Sequence, residues 1–285
     1  MVGGDERPRW RLVGSPGSWL VWSGVAVFFI FLAGVIGSVL VSSFGRQWFG
    51  TWLPQGWTLS WYGESWRNYD LSQVIGVTLI VSLAVVALAV VIGVPASYIL
   101  ARRSFPLKKL VLALFLLPIL MPPITYGIPL ATVMYKFGLG GTLPGVILVN
   151  LVPSVPFVIL TMTPFIEQIN PSIEHAARMC GANMRAVFVR ILAPLLVPGI
   201  LAASILVLVR TVGMFELTFL VAGRDSTTLV VALFNAMSAA GIRAQQTVDA
   251  MAVMYTGTMM ILLIIALRYV NPTQLVAQVQ ETRED

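Results

Sequence analysis

Asn170-Pro171-Ser172-Ile173-Glu174-His175-Ala176-Ala177-Arg178-Met179-Cys180-Gly181-Ala182-Asn183 is a polar, helix-forming stretch between two long apolar runs. Asn170 is a good N-cap, and Pro171 suits the first helical turn, where a missing N–H costs nothing. Ile173, Ala176 and Ala177 share a face at i, i+3 and i+4. Gly181 can take the left-handed conformation that ends a helix, and Asn183 can cap a second short helix through Val187, Phe188 and Ile191. Pro194 and Pro198 then mark entry to the next apolar run. Two short helices around a glycine break, set on one side of a bilayer, make a docking surface. The small alanines permit close approach, and Arg178, Arg185 and Arg190 rim it. The same features also suit an amphipathic helix lying on the membrane.

The rest of the chain belongs in lipid. Its 285 residues are 58% hydrophobic and 11% charged, against about 25% charged in soluble domains. The mean hydropathy is +0.88. Six continuous apolar runs, near 19–42, 74–101, 110–135, 143–166, 195–222 and 248–269, are each long enough for a spanning helix. They do not alternate apolar with polar, which excludes a barrel. The expected fold is an all-α membrane protein with six transmembrane helices. One domain over 19–270 lies between a cytoplasmic tail at 1–18 and another at 271–285.

The net charge of +6 reflects topology rather than nucleic-acid binding. With the N-terminus inside, twelve of the eighteen Lys and Arg residues fall on that side, five fall outside, and Arg210 lies within a span. That excess places both termini in the cytoplasm. The first apolar run is too long for a cleavable signal and is expected to be an anchor. The basic turn Arg102-Arg103-Ser104-Phe105-Pro106-Leu107-Lys108-Lys109 anchors topology and can touch lipid phosphate.

Outside, Trp48, Trp52, Trp57, Trp61, Tyr62, Trp66 and Tyr69 crowd one loop. They suit an interfacial belt or a contact surface for an external partner. Pro118, Pro122, Pro123, Pro129, Pro144, Pro153, Pro156 and Pro164 fall in the third and fourth runs. They imply either kinked packing or helices lining a pathway.

Catalytic residues are not apparent. His175 and Cys180 are the sole histidine and cysteine, so neither a metal cluster nor an internal disulfide is expected. No lysine follows a glycine, which rules out a phosphate loop ending in Gly-Lys. Any uphill work must draw on an ion gradient or on another subunit.

Glu174-His175-Ala176-Ala177-Arg178-Met179-Cys180-Gly181, nine further residues, and Ile191-Leu192-Ala193-Pro194 resemble the EAA motif of ABC importer permeases. His175 stands at the motif's glutamate position, with Glu174 one residue early, and Ala193 replaces a leucine. The resemblance covers about 200 residues, from the second span to the sixth. It implies a type I ABC importer permease fold with a cytoplasmic coupling segment at 167–191. It also implies a bacterial inner-membrane protein that works with an ABC ATPase dimer, a second permease subunit (a paralogue is expected) and an extracytoplasmic solute-binding protein. ATP and Mg would be bound by the ATPase, with no cofactor in this chain. The ATPase-docking residues would be Ile173, Glu174, His175, Ala176, Ala177, Arg178, Gly181, Ala182, Asn183 and Met184.

Arg210 and Glu216 lie within the fifth run, about 120° apart on a continuous helix, too far round for a mutual salt bridge. Each suits pairing with a neighbour or, with Phe215, a place along the pathway. An acidic Glu216 there favours a cationic solute. Gly213-Met214-Phe215-Glu216 and Trp57-Thr58-Leu59-Ser60-Trp61-Tyr62 resemble permeases of the spermidine/putrescine type. The alternative function is a secondary transporter or channel driven by an ion gradient without an ATPase.

Overall fold

The computed structural model describes residues 16–48, 51, 53–239 and 244–268. Of the expected tails at 1–18 and 271–285, residues 1–15 and 271–285 lie outside the described residues, as do Trp52 and Arg243, while residues 16–18 already belong to the first helix. The described fold is all-α. Its helices are α1 (Pro16–Phe44), α2 (Ser60–Asn68), α3 (Leu71–Arg102), α4 (Lys108–Leu120), α5 (Pro123–Lys136), α6 (Leu143–Gln168), α7 (Pro171–Met179) and α8 (Met184–Val187). A π-helical turn, Phe188–Leu192, leads into α9 (Ala193–Val212), followed by α10 (Glu216–Val221), α11 (Leu229–Ser238) and α12 (Gln245–Arg268).

Five stretches are long and apolar enough to cross a membrane: α1, α3, α6, Met184–Val212 and α12. The expected third span at 110–135 is broken into two helices, α4 and α5, bent by 97°; counted as one span, the pair makes six. Proline disfavours helical geometry in the residue before it. Met121 precedes Pro122, which precedes Pro123, and both residues adopt extended ψ values of 141° and 130°. The expected fifth span at 195–222 also differs. Its helix begins earlier, at Met184, and stops at Val212; α10 starts afresh at Glu216. Pro194 has no N–H for the preceding turn, and the ladder widens there, with Ala193 N–H donating to the Phe188 carbonyl. The second short helix therefore runs straight into the span.

The described residues group into two compact units, one of residues up to 64 with 244–253 and one of 65–239 with 254–268. In the first, the Trp61 indole N–H donates to the Gly45 carbonyl at 2.8 Å, and the Phe44 and Tyr62 rings pack 5.1 Å apart. Ser42 Oγ donates to Asp249 Oδ2 at 2.5 Å.

The second unit is built on α3, α6 and α9. On α3, Val77, Val81, Val85, Ala89 and Gly93 recur every fourth residue and form one buried stripe. On α6, Val158, Met162 and Ile166 do the same. Lipid tails are as apolar as these side chains, so association relies on close packing by small residues rather than on the hydrophobic effect. At Gly93 the helices meet so closely that a Cβ would lie 2.6 Å from Val158 Cγ1. Buried polar groups are mostly paired. Thr78 Oγ1 accepts the Leu229 N–H at 2.8 Å, filling an orphan donor at the start of α11, and Asn150 Nδ2 donates to Thr218 Oγ1 at 3.1 Å.

Candidate docking surface and inner polar residues

The segment between α6 and α9 forms with the caps its sequence dictates. Asn170 Oδ1 accepts from the Ser172 N–H at 2.9 Å, and Asn183 Oδ1 accepts from the Ala186 N–H at 2.8 Å. Gly181 takes φ 84°. Its N–H donates to the Arg178 carbonyl at 2.9 Å, and the Ala182 N–H donates to the Ala177 carbonyl at 3.1 Å. These two bonds satisfy carbonyls that the end of α7 would otherwise leave open.

Of the ten expected docking residues, Ile173, His175, Ala176, Arg178, Gly181, Asn183 and Met184 are exposed. Ala177 and Ala182 are half-buried against the core, so the expected Ile173–Ala176–Ala177 face is only partly free. Glu174 is turned inward and is 5% exposed. Its Oε1 accepts from Arg102 Nε at 2.7 Å and its Oε2 accepts from the Tyr98 hydroxyl at 2.6 Å. Beyond Gly181, a groove of about 710 Å³ is lined by Cys180, Asn183, Arg185, Val189 and Arg190 among others. The surface offers apolar contact from Ile173, Met179 and Met184, and a positive rim.

A second group gathers around the break at Gly213–Phe215. Arg210 and Glu216 lie on different helices, so a single helical angle does not relate them. The Arg210 guanidinium carbon sits 5.6 Å from the Phe157 ring centroid, a cation–π contact within a span. Arg210 and Glu216 both lie within electrostatic reach of the Tyr126 hydroxyl. That hydroxyl is buried and makes no hydrogen bond among the described residues. Phe215 joins Phe219 and Phe234 in an aromatic trio, with ring centroids 4.7 to 5.3 Å apart. Phe219 and Phe234 are 42% and 39% exposed, so ring faces remain available.

A family profile described as "Binding-protein-dependent transport system inner membrane component" matches residues 93–275, more than half of the chain. The chain belongs to that family. The matched region takes in α7, α8 and the Gly213–Phe215 break. The trehalose transport system permease protein SugB of Mycobacterium tuberculosis is 32% identical over 160 residues, which cover 56% of this chain and 58% of that one. The sulfate transport system permease protein CysW of Synechococcus elongatus is 28% identical over 177 residues, covering 58% and 62%. In both cases the chain spans less than two thirds of the relative's own length. Among solved structures, a bacterial ABC transporter involved in import of the acidic polysaccharide alginate shares the fold. Its TM-score is 0.71 at 17% identity, covering 90% of this chain and 99% of that one.

Tyr98, Tyr126, Phe157, Phe219 and Phe234 are the side chains that sequence reasoning misses, and Arg102, expected as a topology anchor, bonds Glu174 and the Ile169 carbonyl. Tyr98 and Arg102 stand at i and i+4, as do Phe215 and Phe219, and that spacing puts each pair on one helix face. No local signal names their partners on other helices.

Proposed function

We propose that this chain is the permease subunit of an ATP-binding-cassette importer and forms half of the pathway for a small polar solute. ATP is hydrolysed in separate cytosolic subunits, a soluble binding protein delivers solute on the outer side, and a second permease completes the pathway. The protein sits in a bacterial cytoplasmic membrane with both termini inside. The observation that carries this reading is the α7–α8 segment, which is capped at both starts, closed by a glycine at φ 84° and exposed on one face. Family membership supports the same assignment. A carrier driven by an ion gradient and working alone would leave this segment without a task.

For the solute, the aromatic trio favours a carbohydrate, because ring faces stack on the apolar faces of sugars. Relatives named for trehalose and diacetylchitobiose support that class, while others are named for sulfate and molybdenum. A polyamine cation is the second reading. It rests on Glu216, which has no ion-pair partner among the described residues.

The deciding experiment reconstitutes the chain in vesicles with and without an ABC ATPase, a second permease and a solute-binding protein from the same organism. Uphill uptake is expected only with the complete set and ATP. Uphill uptake by the chain alone overturns the proposal.

A further inference from the structure

We infer that Glu174 is a positioning residue that fastens α7 to the C-terminal ends of α3 and α6, so that a push on the exposed face of α7 reaches the membrane helices. This inference rests on the docking role proposed above. Glu174 is one position before His175, and one position is about 100° of rotation on a helix. The carboxylate consequently points into the molecule while the imidazole faces out, with Glu174 buried and His175 exposed. Each carboxylate oxygen has its own donor on α3: Arg102 Nε at 2.7 Å and the Tyr98 hydroxyl at 2.6 Å.

The network continues past this pair. Arg102 Nη2 donates to the Ile169 carbonyl at 2.6 Å, the residue that closes α6. The Tyr98 ring meets Phe188 edge-on, with centroids 5.7 Å apart at 82°. Phe188 opens the π-helical turn that leads into α9. One carboxylate thus connects α7 with α3, and through Arg102 and Tyr98 with α6 and α9. Apolar contacts between helices can slide by fractions of an ångström at little cost. Charge-assisted hydrogen bonds between largely buried groups are directional and short, and they resist such sliding. The Arg102 and Glu174 side chains are only 12% and 7% exposed, so water does not loosen the pair. A glutamate facing out at 175 would address a partner; at 174 it addresses this chain's own helices.

The test compares the assembled importer in vesicles with three variants: Glu174→Gln, Tyr98→Phe, and the double change Glu174→Leu with Arg102→Leu. Two quantities are read, the recovery of assembled complex and the number of solutes imported per ATP hydrolysed. Replacing both members of a buried ion pair by apolar groups is often neutral or stabilising, here less the two hydrogen bonds lost by the Tyr98 hydroxyl and the Ile169 carbonyl, whereas removing one member strands a charge. The double variant is therefore expected to assemble as the parent does, yet to import about tenfold less solute per ATP. Glu174→Gln loses less and Tyr98→Phe least. A double variant that imports as efficiently per ATP as its parent shows the pair to be a stability device and overturns the inference. Loss of assembly in proportion to loss of import, in all three variants, overturns it too. Failure of the docking role is distinguishable: parent and variants alike would then show import that ignores ATP.

Discussion

The Ala182 N–H donates to the Ala177 carbonyl across Gly181 at 3.1 Å, and this bond sets the angle at which α7 gives way to α8. It forms because Gly181 adopts φ 84°, which a residue with a Cβ reaches only at a cost of about 1–2 kcal/mol. Gly181→Ala should lower the melting temperature slightly and reduce import by a small factor. Gly181→Pro cannot reach that φ and loses the N–H that bonds Arg178, so it should abolish import and ATPase co-purification. Membrane insertion, checked by extraction and fractionation, should be unchanged in both.

Neighbouring alanines on α7 should behave differently. Ala176 is exposed, whereas Ala177 packs against the core. Ala176→Asp should weaken ATPase co-purification without changing the thermal midpoint of the chain in detergent. Ala177→Asp buries an unpaired carboxylate and should lower both, by about 2–4 kcal/mol in stability. Equal thermal midpoints for the two variants would remove the distinction between the faces.

Cap chemistry explains why this segment was legible in the sequence. Asn170, Pro171, Gly181 and Asn183 act on backbone groups two to five residues away, so short-range reasoning reaches them. The burial of Glu174 was not legible, because its partners lie 72 and 76 positions distant and only packing brings them together. The third span was half legible. Pro122 and Pro123 announce a break, but the 97° angle depends on what α4 and α5 pack against. The fifth span misled because hydropathy runs through Gly213 without a pause, so Arg210 and Glu216 looked like parts of one helix. The family resemblance carried the likeness to importer permeases; the spermidine/putrescine suggestion finds no support in the names of the relatives.

Close approach at Gly93 yields a paired prediction. A Cβ there would meet Val158 Cγ1 at 2.6 Å and its Cβ at 2.8 Å. Gly93→Ala should destabilise the α3–α6 contact by about 1–3 kcal/mol through overpacking. Adding Val158→Ala removes the methyl at 2.6 Å but keeps the Cβ at 2.8 Å, so it should restore part of the loss, giving a coupling in a double-mutant cycle. Thermal denaturation of the purified chain in detergent reads both. Additive effects would mean that the helices separate freely at this point.

The solute class can be decided at the Gly213–Phe215 break. Phe234→Ala removes one face of the aromatic trio without touching a charge, and Glu216→Gln removes a charge with almost no change of shape. If a sugar stacks on the trio, Phe234→Ala should reduce uptake by about two- to twelvefold, the equivalent of about 0.5–1.5 kcal/mol for an aromatic contact beyond its burial. Glu216→Gln should then have little effect. If a polyamine passes instead, the order reverses, because the carboxylate is the group a cation senses across a span. Uptake of labelled trehalose and labelled putrescine by the complete importer, with each variant, separates the two. Should neither substitution alter uptake of any solute the parent carries, the break at Gly213–Phe215 does not line the pathway, and both solute readings fall together.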